Sequence, residues 1–291
     1  MAHLLDVLAD RVLLGDGSMG ARVQALGLDV DKDFWGHENC TDILTRSRPD
    51  LVREIHRSYF AAGADLAITN TFGGSPLTLG EFGLADEAFA LNKEGGELAR
   101  EAAEIFAGDK RDLFVLGDVG PGTKLPSLGH IGYDELAAAL KVQCAGLIAG
   151  VVDAVLIETC QDPLQIKAAV NAAKEARHEA GTETPILVQV TVEATGTLLV
   201  GADIAAAATA VGALDVPLLG INCATGPQEM AEHVKWLGEN WPGLISVQPN
   251  AGLPELVDGE TRFPLTPEEL ALWSERFIAE DGVNLVGGCC G

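Results

Sequence analysis

Three cysteines carry the strongest chemical signal in the sequence. Cys223 ends an apolar run in GINCATGP, and Cys289 and Cys290 end another in GGCCG. Three thiolates with a fourth position left open match a catalytic zinc site, because structural zinc sites usually have four protein ligands. The sequence contains no CxxC pair, which argues against a zinc ribbon. We therefore predict a zinc site on these cysteines, with buried and inert thiols as the alternative.

The two adjacent cysteines place a condition on the backbone. Neighbouring residues of a β-strand point to opposite faces, so Cys289 and Cys290 can bind one ion only if the strand breaks there. Glycines at positions 287, 288 and 291 permit such a break. The remaining cysteines, Cys40, Cys144 and Cys160, are expected to pack in the core or in loops. For Cys160, a position near the metal is the less favoured alternative.

Two acids and a glycine-rich turn suggest a site for an amino acid. The first apolar run ends in GDGSMG (15–20), and such a turn exposes backbone N–H groups that can bind a carboxylate. Asp16 lies in this turn, and Glu158 ends the fourth run. Either acid can bind an ammonium group, and a structural hydrogen-bonding role for each is the alternative. A zwitterionic amino acid needs this combination of N–H donors and carboxylates.

One alternating pattern positions these residues. Short β-branched runs, apolar enough to be buried on both faces, are each followed by an amphipathic stretch. Eight such units predict a (β/α)8 TIM barrel, with an open doubly wound sheet as the rival fold. The runs cover residues 12–17, 65–72, 113–120, 154–160, 185–192, 218–223, 244–252 and 284–290. The helical stretches cover residues 49–64, 86–107, 133–150, 163–180, 202–214, 227–240 and 266–282.

Polar residues follow these runs, and the carboxyl ends of barrel strands form the active face. We expect some of them to cap loops and the others to form the site. The set is Asp16, Asn70, Thr71, Asp118, Glu158, Gln189, Asn222, Cys223, Asn250, Cys289 and Cys290.

The chain is predicted to form one domain over residues 1–291, because no linker or low-complexity stretch divides it. The last run reaches Cys290, so the eighth helix of the barrel is expected to be missing from this chain. Either the chain is shortened or the natural polypeptide continues past Gly291. Without that helix, apolar strand and helix surface would be exposed.

The charge balance bears on partners. The net charge is −24, from 43 acidic and 19 basic residues, which disfavours nucleic acid and membrane surfaces. The charge can serve solubility or attract a basic partner protein. No apolar run approaches the ~18 residues that span a bilayer, and the start, MAHLLDVLAD, is unlike a signal peptide. Together with the clustered cysteines, this favours a reducing cytoplasm.

The sequence resembles the homocysteine S-methyltransferase family over its whole length. Within that family it is most similar to the homocysteine-binding module of cobalamin-dependent methionine synthases. The resemblance rests on DGSMG (16–20), AGADLAITNTFG (62–73), GDVGP (117–121), IETCQDPLQIKAAV (157–170), GINCATGP (220–227), QPNAGLP (248–254) and GGCCG (287–291). The most specific part is GINC followed by GGCC.

The resemblance implies a function and a set of site residues. It implies zinc on Cys223, Cys289 and Cys290, which makes homocysteine a thiolate that accepts a methyl group and forms methionine. It further implies that backbone groups hold the homocysteine carboxylate and that two acids hold its amine. The backbone groups belong to Gly17, Ser18 and Met19, and the acids are Asp16 and Glu158. Asn250 matches the family position that occupies the open metal site when substrate is absent.

The methyl donor is the remaining question. Family members use methylcobalamin, S-methylmethionine, S-adenosylmethionine or betaine. Betaine needs an aromatic cage, yet Thr159 stands where betaine enzymes have tyrosine, and the chain has two tyrosines. We predict methylcobalamin, carried by a corrinoid protein or domain outside these residues, since they contain no DxHxxG motif. S-methylmethionine, betaine, a non-catalytic zinc and amino-acid module, and a structural zinc remain alternatives.

Overall fold

A nearly closed barrel of eight parallel strands forms the centre of the protein. It is seen in a computed structural model that describes residues 3–107, 111–253, 255–257 and 260–291. The barrel strands are β1 (Leu13–Leu14), β2 (Leu66–Ile68), β3 (Phe114–Val119), β4 (Ala154–Cys160), β5 (Ile186–Val190), β6 (Leu218–Asn222), β7 (Leu244–Gln248) and β10 (Leu285–Val286). They pair in the order β1-β10-β7-β6-β5-β4-β3-β2. The predicted (β/α)8 class is confirmed.

Helices alternate with these strands. They are α1 (Leu4–Asp10), α2 (Met19–Gln24), α3 (Leu44–Ser47), α4 (Pro49–Ala62), α5 (Pro76–Gly80), α6 (Ala88–Ala107), α7 (Tyr133–Ala149), α8 (Pro163–Ala180), α9 (Ile204–Gly212), α10 (Pro227–Asn240) and α11 (Pro267–Asp281). Local signals explain several boundaries. Asp162 caps the start of α8, and Gly181 ends it in a left-handed conformation. The predictions for α8 and α10 match at both ends.

Side chains of successive strand residues divide the core into two layers. In β3, Phe114 and Leu116 point into the barrel, whereas Val115 points toward the surrounding helices. Leu4 and Leu8 of α1 belong to the inner layer and are almost fully buried. Helix α1 therefore closes the amino-terminal end of the barrel. At the other end, the carboxyl ends of the strands border a cavity.

Seven of the eight predicted strands are longer in the sequence interpretation than in the structure, and only β4 matches its predicted range. The first and last runs were expected over 12–17 and 284–290, but β1 and β10 have two residues each. Glycines explain the difference: Gly15 donates to the carbonyl of Val286, and the chain then passes close to Gly287. The cysteines therefore lie in loops beyond the strand ends. A hairpin of β8 (Glu255–Val257) and β9 (Glu260–Arg262) was not predicted, because these three-residue strands are too short and too charged to form an apolar run.

Residues 287–291, which follow β10, contain no helix. An apolar groove of about 580 Å³ lies beside them, on the outside of the barrel. Its walls come from α4 and α11, with Ala62, Leu270 and Ile278 among the lining residues. This matches the exposed apolar surface expected from the sequence. Within the described residues, no helix has the length and hydrophobicity needed to cross a bilayer.

Candidate active site

A cavity of about 250 Å³ opens at the carboxyl end of the barrel. The residues that line it are Asp16, Gly17, Ser18, Met19, Gly20, Thr41, Ile68, Thr69, Asn70, Phe72, Asp118, Glu158, Thr159, Asn222, Cys223, Gln248, Gly288, Cys289 and Cys290. Of the predicted site residues, all except Asn250 are in this set. Asn250 is buried beside the cysteines: its Oδ1 accepts a hydrogen bond of 3.0 Å from the backbone N–H of Cys290, and its side chain also hydrogen-bonds to Cys223.

The three predicted cysteines form one cluster. Their Sγ atoms all lie within 4.8 Å of one another, and those of Cys289 and Cys290 are 3.9 Å apart. Cys223 directly follows β6 and has a left-handed backbone, with φ of 61°. The adjacent pair lies beyond the end of β10, so no strand pleat forces the two side chains apart. The backbone break that the sequence required is thus present.

Backbone hydrogen bonds hold the loops of the cluster together. Cys223 donates to the carbonyl of Gln248 over 3.1 Å, and Cys289 donates to that of Pro249 over 2.9 Å. Ala251 donates to the carbonyl of Cys290 over 2.8 Å. All three partners lie at the end of β7 or just after it. The segment that follows β7 therefore holds together the two loops that carry the thiols.

The three thiols of the cluster have very different pKa values. Hydrogen bonds from the thiols of Cys289 and Cys290 lower the pKa of Cys223 to about 3. The same interaction with Cys223 raises the pKa of Cys290 to about 11 and that of Cys289 well above its ordinary value. Ionisation of the cluster is therefore easiest at Cys223. Three soft sulfur donors within mutual reach suit zinc, and among the described residues no fourth His, Cys, Asp or Glu joins the group.

Buried carboxyl groups line the same cavity as the thiols. Asp16 Oδ2 accepts a hydrogen bond of 2.9 Å from the backbone of Ile68. Its Oδ1 is buried and receives none from the described residues. Burial raises the pKa of Asp16 well above the usual range, and repulsion from Glu158 adds to the rise. Burial likewise raises the pKa of Glu158. Such carboxyl groups lack a positive partner, which an ammonium group would supply.

Asn222 connects the two sides of the cavity. Its Nδ2 donates to Glu158 Oε2 and lies 3.9 Å from the sulfur of Cys289. Its Oδ1 accepts from the backbone N–H of Thr159 over 3.0 Å. Thr159 has φ of 56°, unusual for a β-branched residue, and sits where the β4–β5 register shifts. Its hydroxyl donates to Glu158. The sequence placed Asn222 at a strand end but did not reveal this role.

The glycine-rich turn forms the third side. Ser18 caps α2, with its Oγ accepting from the backbone of Ala21 over 2.9 Å. Tyr59 donates from its hydroxyl to the Ser18 carbonyl over 3.1 Å. The first backbone N–H groups of a helix have no preceding turn to accept them, and Met19 and Gly20 lie in this first turn. Donors for an anion thus border the cavity.

The other cysteines lie outside the cluster. Cys40, Cys144 and Cys160 are all at most 2% exposed. Burial raises the pKa of Cys40 to about 11, that of Cys144 to about 12, and that of Cys160 further still. The sequence-based expectation of packed, inert thiols is confirmed for Cys144, which lies in α7. Cys160 is the last residue of β4 and packs in the outer core layer.

Fold and site together define a (β/α)8 barrel protein with a trithiol cluster and buried acids at its carboxyl end. The model of the homocysteine S-methyltransferase family matches residues 13–291. The chain therefore belongs to that family, as its motifs predicted. It is 49% identical over 288 residues to the methionine synthases of Mycobacterium tuberculosis and of Mycobacterium leprae. These matches cover 99% of this chain but 24% of each relative.

Solved structures agree on the fold. The metallated form of the homocysteine methyltransferase MmuM from Escherichia coli superposes with a TM-score of 0.78 at 23% identity. The oxidized form superposes with a TM-score of 0.76 at the same identity. Both matches cover 98% of this chain and 94% of the other. At this identity the likeness establishes the barrel architecture alone.

Proposed function

We propose that residues 1–291 form a homocysteine-binding domain that activates homocysteine as a zinc-bound thiolate for methyl transfer, with methylcobalamin as donor. The observation that carries this proposal is the meeting of two groups in one cavity. Cys223, Cys289 and Cys290 line it together with Asp16 and Glu158. An amino acid with a side-chain thiol has groups that complement both.

The metal half of the proposal assigns zinc to the three Sγ atoms of the cluster. When bound, zinc supplies the Lewis acidity that keeps a substrate thiol, of pKa ~8.5 when free, ionised at neutral pH. The chain's own contribution is to hold three sulfurs ready. Asn250 fixes the backbone of Cys290, and the residues after β7 fix Cys289. Such outer contacts orient metal ligands and tune their affinity.

The substrate half assigns the amino-acid end. Asp16 and Glu158 would bind the ammonium group, and the backbone N–H groups of Gly17, Ser18 and Met19 would bind the carboxylate. Both sets are rigid, because Ile68 and Asn222 hold the acids while Tyr59 holds the turn. An amino acid fixed this way directs its side chain along the cavity toward the thiols. Fixing a nucleophile in one orientation lowers the entropic cost of reaction.

The choice of donor rests on two supports. Among the described residues, Phe72 is the only aromatic side chain that lines the cavity, whereas a quaternary ammonium donor such as betaine favours an aromatic cage. The methionine synthases that this chain matches are about four times as long. A donor carried on a separate domain or protein fits this length difference. A corrinoid carrier is accordingly the proposed partner.

Metal analysis and turnover assays test the proposal. The purified chain should hold one zinc ion, bind homocysteine in a calorimetric titration, and form methionine from methylcobalamin faster than from S-methylmethionine or betaine. Product from S-methylmethionine alone would change the donor assignment. Homocysteine binding without product from any donor would indicate a binding module instead. A zinc-loaded chain that does not bind homocysteine would refute the proposal.

A further inference from the structure

A third buried carboxyl group lies in the cavity and has no role in the proposed function. Asp118 of β3 lines the cavity beside Glu158 and is 5% exposed. Its Oδ1 is buried, and no hydrogen-bond donor among the described residues reaches it. A polar atom left this way is costly unless it gains a partner. The group therefore needs an explanation.

The backbone of Asp118 is held unusually firmly. Its N–H donates to the hydroxyl oxygen of Thr69 over 2.9 Å. Its carbonyl accepts from the hydroxyl of Thr71 over 2.9 Å and from the side-chain amide of Gln143 over 3.2 Å. These three side chains are almost completely buried. Their contacts fix the backbone position of Asp118, so the fold itself places its side chain beside Glu158.

The two carboxyl groups face one cavity from neighbouring strands, because Asp118 of β3 is paired with Leu156 of β4, two residues before Glu158. Their interaction contributes to the raised pKa of Asp118, so they are close enough to share a hydrogen bond. Two carboxylates at that distance repel, so one of them holds a proton. Glu158 already accepts hydrogen bonds from Thr159 and Asn222, which favour its ionised form. No donor among the described residues reaches Asp118 Oδ1, and burial together with the charge of Glu158 raises the pKa of Asp118 well above the usual range. The proton therefore belongs on Asp118.

We propose that Asp118 is a positioning residue, whose protonated carboxyl group donates a hydrogen bond to Glu158 and fixes that carboxylate for the substrate's ammonium group. This inference rests on the proposed function of the cavity. With Asp118 neutral, the subsite carries one negative charge fewer than it would with all three acids ionised. It selects thiols that carry a free α-ammonium group and disfavours those without one.

Calorimetric titrations of the zinc-loaded chain test this role. The ligands are homocysteine and 4-mercaptobutanoate, which keeps the thiol and the carboxylate but lacks the amine. Asp118→Val, which has a similar shape and suits a buried strand, removes the donor. We expect it to weaken homocysteine binding about 10-fold or more and to leave 4-mercaptobutanoate binding unchanged. Asp118→Asn keeps a donor, so homocysteine should bind within about 3-fold of wild type.

A double-mutant cycle separates positioning from general damage. If Asp118 acts through Glu158, Asp118→Val should cause no further loss in a Glu158→Gln background. Asp42→Asn is the matched control, because Asp42 is also a buried acid with an unpartnered oxygen but does not line the cavity. It should bind both ligands as the wild type does. Circular dichroism and zinc content verify folding, and Asp118→Ala replaces the valine variant if that variant does not fold.

Several outcomes would overturn the inference. Asp118→Val binding homocysteine as tightly as wild type would remove the role. An equal loss in the Glu158→Gln background would show an effect independent of Glu158. A loss in Asp118→Asn as large as in Asp118→Val would show that the donor is irrelevant. If the wild type itself does not bind homocysteine, the proposed function falls first, and this inference falls with it.

Discussion

The thiol side and the acid side of the cavity accumulate negative charge in different ways. The thiols lie in loops beyond the strand ends and are partly exposed. The acids Asp16, Asp118 and Glu158 lie on or next to strands and are at most 7% exposed. Thiols can lower their charge by sharing protons within the cluster, as the lowered pKa of Cys223 and the raised pKa of its neighbours indicate. The charge of the buried carboxyl groups depends instead on the hydrogen bonds that the surrounding residues donate to them.

This difference suggests how the two sides respond to their partners. The trithiol cluster is partly exposed, so it can accept and release a metal ion without disturbing the barrel. The acid side cannot relax in the same way, because Ile68 and Asn222 belong to strands. Among the described residues, Asn222 has a side chain that contacts both sides directly. Substitutions on one side should therefore leave the other largely unaffected.

The largest expected effect is on the thiol side. Cys223→Ser should weaken zinc binding by at least about 100-fold, since losing a ligand costs more than losing the outer contacts that orient one. Methyl transfer to homocysteine should fall with it. Competition with a chromogenic chelator measures the affinity. Cys144→Ala, which removes a buried thiol from α7, should keep zinc. Wild-type zinc affinity in Cys223→Ser would contradict the proposed ligand set.

The next effect separates the two sides. Glu158→Gln should weaken homocysteine binding about 10- to 100-fold, because hydrogen bonds to a charged group contribute about 1.5–3 kcal/mol. Zinc content should stay at the wild-type level. Calorimetry with homocysteine and 4-mercaptobutanoate measures this, and the analogue without an amine serves as the control. A matching loss for both ligands would mean that Glu158 shapes the cavity and does not bind the ammonium group.

A smaller effect is expected behind the thiol cluster. Asn250→Ala should weaken zinc binding about 10-fold, because the backbone of Cys290 loses its acceptor and the ligand becomes less well oriented. Asn250→Asp keeps an acceptor oxygen and should retain most of the affinity. The same chelator competition applies. Equal losses in the two variants would show that Asn250 acts by something other than this hydrogen bond.

The smallest effect concerns stability beside the acid side. Burial raises the pKa of Asp42 to about 7. An acid whose folded pKa is raised destabilises the fold as pH increases from its unfolded pKa toward the folded one. Asp42→Asn should therefore be more stable than wild type by about 1 to 4 kcal/mol at pH 8, with a smaller difference at pH 5. Urea unfolding of the metal-free chain measures this.

The control is Glu183→Gln, which replaces an exposed acid. It should show no such pH-dependent gain over wild type. A gain in Asp42→Asn that is equally large at pH 5 and pH 8 would mean that the carboxyl charge is not its source.

Much of the fold could be predicted from patterns within single segments. The bounds of α8 and α10 followed from capping residues and apolar periodicity, and β4 matched its predicted range. The short β1 and β10 were overestimated, because a glycine-rich sequence does not reveal where pairing stops. Asp118 and Asn222 were placed at strand ends, but their partners could not be predicted. A hydrogen bond between β4 and β6 depends on strand order and register.

The sequence by itself determined the repeat of strands and helices, the residue types that suit a metal and an amino acid, and the family to which they belong. Local propensity and spacing carry that information. Only the tertiary structure decided that Cys223 meets Cys289 and Cys290, and that Asp118 lies against Glu158. Barrel closure brings distant loops to one end. Burial there, which no single segment specifies, leaves oxygens without partners and shifts their pKa values.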